Sequence, residues 1–476
     1  MNKHVRALAK VAVVSALFFA SSCSSPAGGD GPDVPGGSVP NVSSPETRLG
    51  PGGVVWTRRT SGTLSGLISV TSGNGLIVVT GNNGVILTSA DGVDWTLRKT
   101  GVDAAINHVI WTGAKFIAVG DSGTILTSTD GTTWSLRNKS PDYHLESVAW
   151  NGKTFVTVGG LFINSGLSTT TILSSVDGET WTKESGGHGI LFGVAWGGIA
   201  FLAAGYNYDF STVEDHSTPV TYLSLDGKRW DVVNADVEQY NAFTNVIHDG
   251  RRFVAVGGSR RLQDPFATLY FTSDFNKWTA ASLPTRNTLE GIAFTGSEYV
   301  AVGKQGTIVM SDSNGLWKER VSGVVADLNG VAGTSVGWQL VAVGDSGTLL
   351  TSPCGKKVSP SNPPARHPLV GTWKHEQDII VHANGSETAV STDSLPTLSF
   401  SFAEDSSLLL YVVFHSELVR TFEGTWTTQG DQLTISSPAF SGGATRYSLA
   451  GTTLTMSFPD TQGQEAVTRK QVYLRQ

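Results

Sequence analysis

The chain has 476 residues, with 33 Lys and Arg against 40 Asp and Glu, a formal charge of −7 at pH 7. Charged residues make up only 15%, while glycine occurs 56 times, which suits an all-β protein with many tight turns. Net acidity without a Lys/Arg cluster argues against nucleic acid as a partner, and two cysteines are too few for a disulfide framework or a cysteine-rich metal site.

The first residues carry Lys3, Arg6 and Lys10, followed by an apolar run from Val11 to Ala20. Ten apolar residues fall short of the roughly 20 that a membrane-spanning helix needs. A basic start, a short apolar run and the small residues Ala20-Ser21-Ser22 read as a secretory signal over 1–22. Cys23 then follows, and this segment resembles the lipobox of bacterial lipoproteins, in which the cysteine becomes the lipidated first residue. It departs from the usual pattern by carrying Ala20 where leucine is common. The alternative is an ordinary cleaved signal. Ser24 and Ser25 behind the cysteine, with no Asp at the sorting position, favour the outer membrane under that resemblance. An acylated Cys23 leaves Cys354 without a partner in the chain. An unmodified Cys23 leaves open a Cys23–Cys354 bridge across a very long loop. Loss of the three cationic residues of the signal takes the mature chain to about −10.

Residues 23–53 are rich in Pro, Gly and Ser, with few large apolar side chains, so they cannot bury enough surface to offset their ordering entropy. They read as a flexible tether. The segment KKVSPSNPPARHP at 356–368 reads as a second linker.

Between the linkers the sequence repeats. Tryptophans fall at 56, 95, 134, 181, 230, 278 and 317. Most close a shared phrase: TSADGVDW at 88–95, TSTDGTTW at 127–134, SSVDGETW at 174–181, LSLDGKRW at 223–230. The phrase degrades to TSDFNKW at 272–278 and SDSNGLW at 311–317. Ahead of it stand runs such as FIAVGDSGTIL at 116–126 and LVAVGDSGTLL at 340–350, and ahead of those LESVAW at 145–150 and LFGVAW at 191–196. Each unit thus offers four short β-type runs with Gly, Asp and Asn turns, and no helical period appears. A single four-stranded sheet cannot bury both its faces. Seven packed face to face around an axis can, which predicts a seven-bladed β-propeller over 54–355. The last unit lacks its Trp strand, and VVWTRRTSG at 54–62 has no unit before it, so the chain's beginning is expected to complete the last sheet beside 347–352.

The shared phrase resembles the Asp-box of the BNR/sialidase superfamily, and more closely the propellers of photosystem II assembly factors of the Ycf48 type. In this reading the phrase is a fold signature. Its Asp accepts backbone N–H groups, its Gly adopts positive φ, and its Trp packs between blades. VGDSGT at 119–124 and 343–348 reads as a hairpin turn, not a phosphate cradle.

Residues 369–476 continue with LVGTWK, TLSFSF, SLLLYVVF and TFEGTW, alternating runs that predict a small antiparallel barrel or sheet. Gly371, Trp373 and the late Arg475 resemble lipocalin-like domains, in which the Trp closes one barrel end under an Arg. A generic β-sandwich is the alternative.

Chemistry does not announce itself. Sialidases need an arginine cluster, a Tyr–Glu nucleophile pair and an acidic donor. Arg58 and Arg59 lie on the closing strand, at the rim. The histidines are scattered without metal-ligand spacing, and nucleophile-elbow, phosphate-loop and dinucleotide patterns are absent. No catalytic residue, metal or cofactor is assigned.

The irregularities of the repeat carry more. From the glycine of VG to the next Trp, the regular unit takes 14 residues (Gly120 to Trp134), but three consecutive units take 22, 25 and 21, from Gly159, Gly205 and Gly257. The extra residues enter the same hairpin of three neighbouring units, and so should form one raised lobe on one face, beside the central channel. The first loop, 160–171, holds Phe162. The second, 206–221, holds Tyr206, Tyr208, Asp209, Phe210, Glu214, Asp215 and His216. The third, 258–268, holds Arg260, Arg261, Asp264 and Phe266. Exposed aromatics mixed with charges compose recognition surfaces, and loops carry function more often than the scaffold beneath. The expectation is a cell-envelope lipoprotein, monomeric, bound to the membrane through its lipid alone, that binds a protein or glycan and is not an enzyme. The rivals are a glycan-active enzyme of sialidase type and a carrier of small apolar ligands in the C-terminal domain.

Overall fold

The computed structural model describes residues 55–353, apart from short stretches at 141, 163–167, 210–215, 234, 236, 238–240, 260–265, 276, 313, 335 and 337–338, together with the strand backbone between 371 and 475. Cys23, Cys354 and both linkers lie outside the described residues. The protein is all-β, and among the described residues the helical turns are two of three residues, Lys304–Gly306 and Asp345–Gly347.

Seven four-stranded antiparallel sheets account for residues 57–353. Sheet 1 occupies 67–98, sheet 2 106–138, sheet 3 145–183, sheet 4 190–233, sheet 5 241–280 and sheet 6 289–320. Sheet 7 joins 328–353 to the two-residue strand Thr57–Arg58. The strands of each sheet are called a to d in order. Strand a of every sheet packs on strand a of the next, and that of sheet 7 packs on that of sheet 1, so the sheets close into the ring of a β-propeller. The expected closure is present: Thr57 lies opposite Thr351 and Arg58 opposite Leu350, and the Arg59 side chain donates to Thr351 Oγ1 at 2.8 Å.

Burial explains why each run became a strand. Strands a to c are almost wholly buried in the regular sheets, whereas strand d, as in Thr96–Arg98, is largely exposed. Leu67, Val79, Leu87 and their counterparts in neighbouring sheets interlock into continuous clusters. Each such side chain contributes roughly 1.5–3 kcal/mol when buried. An aromatic triplet repeats at one end of the sheets: Trp111 lies 4.4 Å from Phe116, which lies 6.1 Å from Trp134. Sheets 3 and 4 repeat it with Trp150, Phe155 and Trp181 and with Trp196, Phe201 and Trp230.

Strand a carries a bulge in every sheet, between Ile106 and His108 in sheet 2. The bulge drives the preceding carbonyl toward a glycine of strand b. A methyl group on Gly120 would lie 2.0 Å from the Ala105 carbonyl oxygen, and Gly159, Gly205, Gly257 and Gly344 are equally crowded. The glycine at this position of strand b is therefore required by contact rather than by its dihedral angles.

The repeated Asp phrase forms the turn between strands c and d. In sheet 2, Gly131 N–H donates to Ser128 Oγ at 2.8 Å, the Thr132 and Thr133 N–H groups both donate to Asp130 Oδ1, and Trp134 Nε1 donates to the Gly131 carbonyl. Gly131 adopts φ +74°. Sheets 1, 3 and 4 repeat the arrangement. These donors hold the carboxyls of Asp130 and Asp177 well below the ordinary range, with the N–H of Thr133 and of Thr180 the leading causes.

Beyond residue 370 nine strands make one antiparallel sheet, from Gly371–Val381 to Glu465–Arg475. Its first strand also pairs with its last, which places Trp373 opposite Arg475.

Candidate binding face

Strand a begins beside the end of strand b, as Leu67 does opposite Gly81, and strand d ends beside the start of strand c. The b–c hairpins and the connections from one sheet to the next therefore share one face of the ring. The a–b and c–d turns share the other. The three long segments found in the sequence are the b–c hairpins of sheets 3, 4 and 5, so all three belong to the first face. Their strands are extended: Phe155–Phe162 pairs with Ser168–Ser175, and Phe201–Asp209 with His216–Ser224. Both chain junctions of the ring, near residue 55 and at Pro353, are on the opposite face.

The bases of the hairpins of sheets 3 and 4 touch. Ser168 Oγ donates to Asn207 Oδ1 at 2.8 Å, from the hairpin of sheet 3 to that of sheet 4. Thr170 Oγ1 donates to the Gly189 carbonyl at 2.7 Å, and Thr169 makes a β-bridge with His188. Tyr222 accepts the His188 N–H and returns its hydroxyl proton to the His188 carbonyl. In sheet 5 Tyr270 holds the same strand position, and Asn241 Nδ2 donates to its hydroxyl at 3.0 Å. The position is leucine in sheets 1 to 3 and 7, at Leu87, Leu126, Leu173 and Leu350. The two tyrosines tie down the connections that flank the tall hairpins. Sequence reading missed them, although the Leu-to-Tyr exchange was visible in register with the repeat.

The mouth of the channel on this face is set by the bulge residue of strand a. Reading round the ring, it is Ile68, Asn107, Glu146, Phe192, Thr244, Glu290 and Asn329, all buried. Three of them join one sheet to the next: Asn107 Nδ2 donates to the Leu145 carbonyl, Thr244 Oγ1 to that of Leu289 and Asn329 Nδ2 to that of Leu67, at 2.7–3.0 Å. Asn107 and Asn329 also donate to Asp121 and Asp345. Lys304 bridges Glu290 at 3.1 Å and Asp327 at 3.0 Å. Burial works against its charge, but Glu290 and then Asp327 outweigh burial and raise its pKa. On the side of sheet 4 the mouth is apolar: Phe192 stacks on Tyr206 at 5.0 Å, with Ile190 and Ala242 beside them. The Asn107, Thr244 and Asn329 side chains thus stitch neighbouring sheets together. Among the described residues no group of three or more His, Cys, Asp or Glu side chains gathers as a metal site would require.

Tyr206 departs from its expected role. It is 1% exposed and belongs to the core of sheet 4. Strand b simply continues through it, opposite Ile190, so its ring meets Phe192 instead of solvent. Phe266 is half-buried just before strand c of sheet 5. Phe162, Tyr208, Asp209 and His216 lie on the extended strands, but their side chains are outside the described residues. Phe210, Glu214, Asp215, Arg260, Arg261 and Asp264 lie wholly outside them. Arg58 is exposed on the outermost strand of sheet 7, far from the channel-lining strands.

No family model matches the chain, and no curated protein matches it in sequence. Solved structures similar to it include YCF48 from Cyanidioschyzon merolae, 15% identical over 63% of this chain and 98% of that one, with a TM-score of 0.47. A structure of YCF48 bound to D1 peptide is 17% identical over 64% and 97%, with a TM-score of 0.48. The computationally designed Ika8 protein is 12% identical over 62% and 98%, with a TM-score of 0.42.

Proposed function

We propose that the protein is an exported, lipid-anchored scaffold of the cell envelope, in the outer membrane, that binds a protein or glycan without transforming it. In this reading 54–355 is a seven-bladed Asp-box propeller, Cys23 carries the lipid, and the recognition surface is the lobe made by the hairpins of sheets 3, 4 and 5. The observation that carries it is the placement of all three insertions in the same hairpin of three consecutive sheets, with the bases of the first two joined by the Ser168–Asn207 bond. Insertions scattered by drift would have no reason to share one face. Asn107, Thr244 and Asn329 at the channel mouth are engaged in joining neighbouring sheets, a scaffold role that fits the binding reading. Residues 369–476 are read as a lipocalin-like barrel, a reading supported by the pairing of its first and last strands and by Trp373 lying opposite Arg475.

The test replaces 163–167, 210–215 and 260–265 together with the short turn found in sheet 2. The full chain and this variant are each used to retain proteins and glycans from envelope extract. Retention of a specific component by the full chain alone, with unchanged melting and circular dichroism, is the expected result. Equal retention by both would refute the lobe.

A further inference from the structure

A cleft of about 460 Å³ lies between sheets 5 and 6. Its origin is a one-residue slip of the turn signature. In sheets 2, 3 and 4 the turn glycine lies against strand b of the preceding sheet: a methyl group on Gly131 would come within 3.3 Å of Leu76, one on Gly178 within 3.0 Å of Ile117, one on Gly227 within 2.6 Å of Val156. In sheet 6 the phrase reads SDSNGLW, so Asp312 and Gly315 each sit one place off register. Asp312 still accepts backbone N–H groups from Asn314 and Leu316, but Gly315 has nothing within 4 Å of where a methyl would be. The turn stands away from sheet 5, and Leu316 is left 59% exposed.

The cleft is walled by Phe271, Leu283, Leu316 and Trp317, with Arg252 among them. The guanidinium of Arg252 lies 3.8 Å over the Phe271 ring. Arg252 Nε donates to Asp249 Oδ2 at 3.3 Å and Nη2 to the Tyr299 hydroxyl at 3.4 Å, while that hydroxyl donates to Asp249. Two of five guanidinium N–H donors are thereby used. The stack and the buried Asp249 hold the planar group in place, with its remaining donors available. The cationic guanidinium beside apolar walls disfavours one ligand class. A wholly apolar ligand would desolvate the guanidinium without compensation.

We propose that this cleft binds a small amphipathic carboxylate, its apolar body against Leu283, Leu316 and Trp317 and its carboxylate on Arg252. The volume is within the roughly 300–1,000 Å³ of small-molecule sites, and carboxylate and guanidinium match as a bidentate pair. The inference is independent of the hairpin lobe and of the second domain.

The probe is 4-phenylbutanoate, titrated calorimetrically into the full chain, with 4-phenylbutan-1-ol and 4-phenylbutylamine as neutral and cationic counterparts. The carboxylate should bind at least about tenfold more tightly than either counterpart. Leu316→Glu, a change at an exposed side chain, and Arg252→Gln should each weaken it at least about tenfold, with folding checked by melting. Absence of carboxylate binding, equal binding of the alcohol, or binding unchanged in Leu316→Glu would overturn the proposal. The last outcome would also assign any observed binding to another part of the chain.

Discussion

The turns of sheet 2 and sheet 6 are built from nearly the same letters and do different things. In TSTDGTTW the glycine falls three residues after the serine, its N–H meets Ser128, and the turn beds down on sheet 1. In SDSNGLW the glycine comes four residues after Ser311, the serine instead accepts the Tyr299 N–H, and the turn stands clear of sheet 5. One residue of register separates a closed inter-sheet seam from an open cleft. Sheet 5 shows a third outcome. Phe275 occupies the glycine position at φ +66°, where a side chain is strained, yet it is 3% exposed and packs on Phe253 at 5.5 Å. Aromatic burial outweighs a backbone penalty of roughly 1–3 kcal/mol. The regularity of the repeat thus marks the common scaffold, and its departures change how neighbouring sheets meet.

That contrast can be broken at its strongest point first. Gly120→Ala puts a methyl 2.0 Å from the Ala105 carbonyl oxygen, and should cost about 3 kcal/mol or more, whereas Gly333→Ala, with open space around it, should be near neutral. Equal denaturant midpoints for the two variants would contradict the crowding account. Of similar size, Trp56→Ala removes a tryptophan that is 8% exposed just before the closing strand and should cost about 3–5 kcal/mol. Asn329→Ala removes the stitch to the Leu67 carbonyl that joins sheet 7 to sheet 1, and should cost about 1–3 kcal/mol in equilibrium unfolding. Smallest, Asp130→Ala strips the acceptor of the sheet 2 turn and should cost about 0.5–2 kcal/mol, by analogy with the loss of a helix-capping carboxylate. The same carboxylate has a sign in pH. Its folded pKa is depressed, so its contribution is present above the unfolded value near 3.9 and fades as pH falls toward the folded one. The stability difference between wild type and Asp130→Ala should shrink below pH 4 and stay constant above pH 6.

The fold was legible because its signals are local and repeated. Trp spacing, the VG pairs and the Ser-x-Asp-Gly phrase each recur in phase, and each proves to have one physical job, whether core, crowded contact or turn. Even ring closure could be read, because Trp56 had no unit of its own and residues 347–352 lacked a partner strand. The candidate face was legible only as a location. Insertion length identifies the hairpin but not which way a side chain points, so Tyr206, counted among the exposed aromatics, is in the core against Phe192. The cleft was invisible for a different reason. Its residues come from an a–b turn, a c strand, an inter-sheet connection and the next sheet's slipped turn, and no sequence spacing brings Arg252 over Phe271.

Ring closure by the chain's own beginning decides which face carries the hairpins and which carries the chain junctions, so it is the point to test. Thr57→Cys with Thr351→Cys, in a background lacking Cys23 and Cys354, places two thiols on directly opposed residues of an antiparallel pair, within disulfide reach. Mild oxidation should yield a single 57–351 crosslink by peptide mapping and raise the melting temperature. Failure of these two positions to join, or pairing of position 57 with a cysteine placed in another sheet, would contradict the closure and the shared face that follows from it.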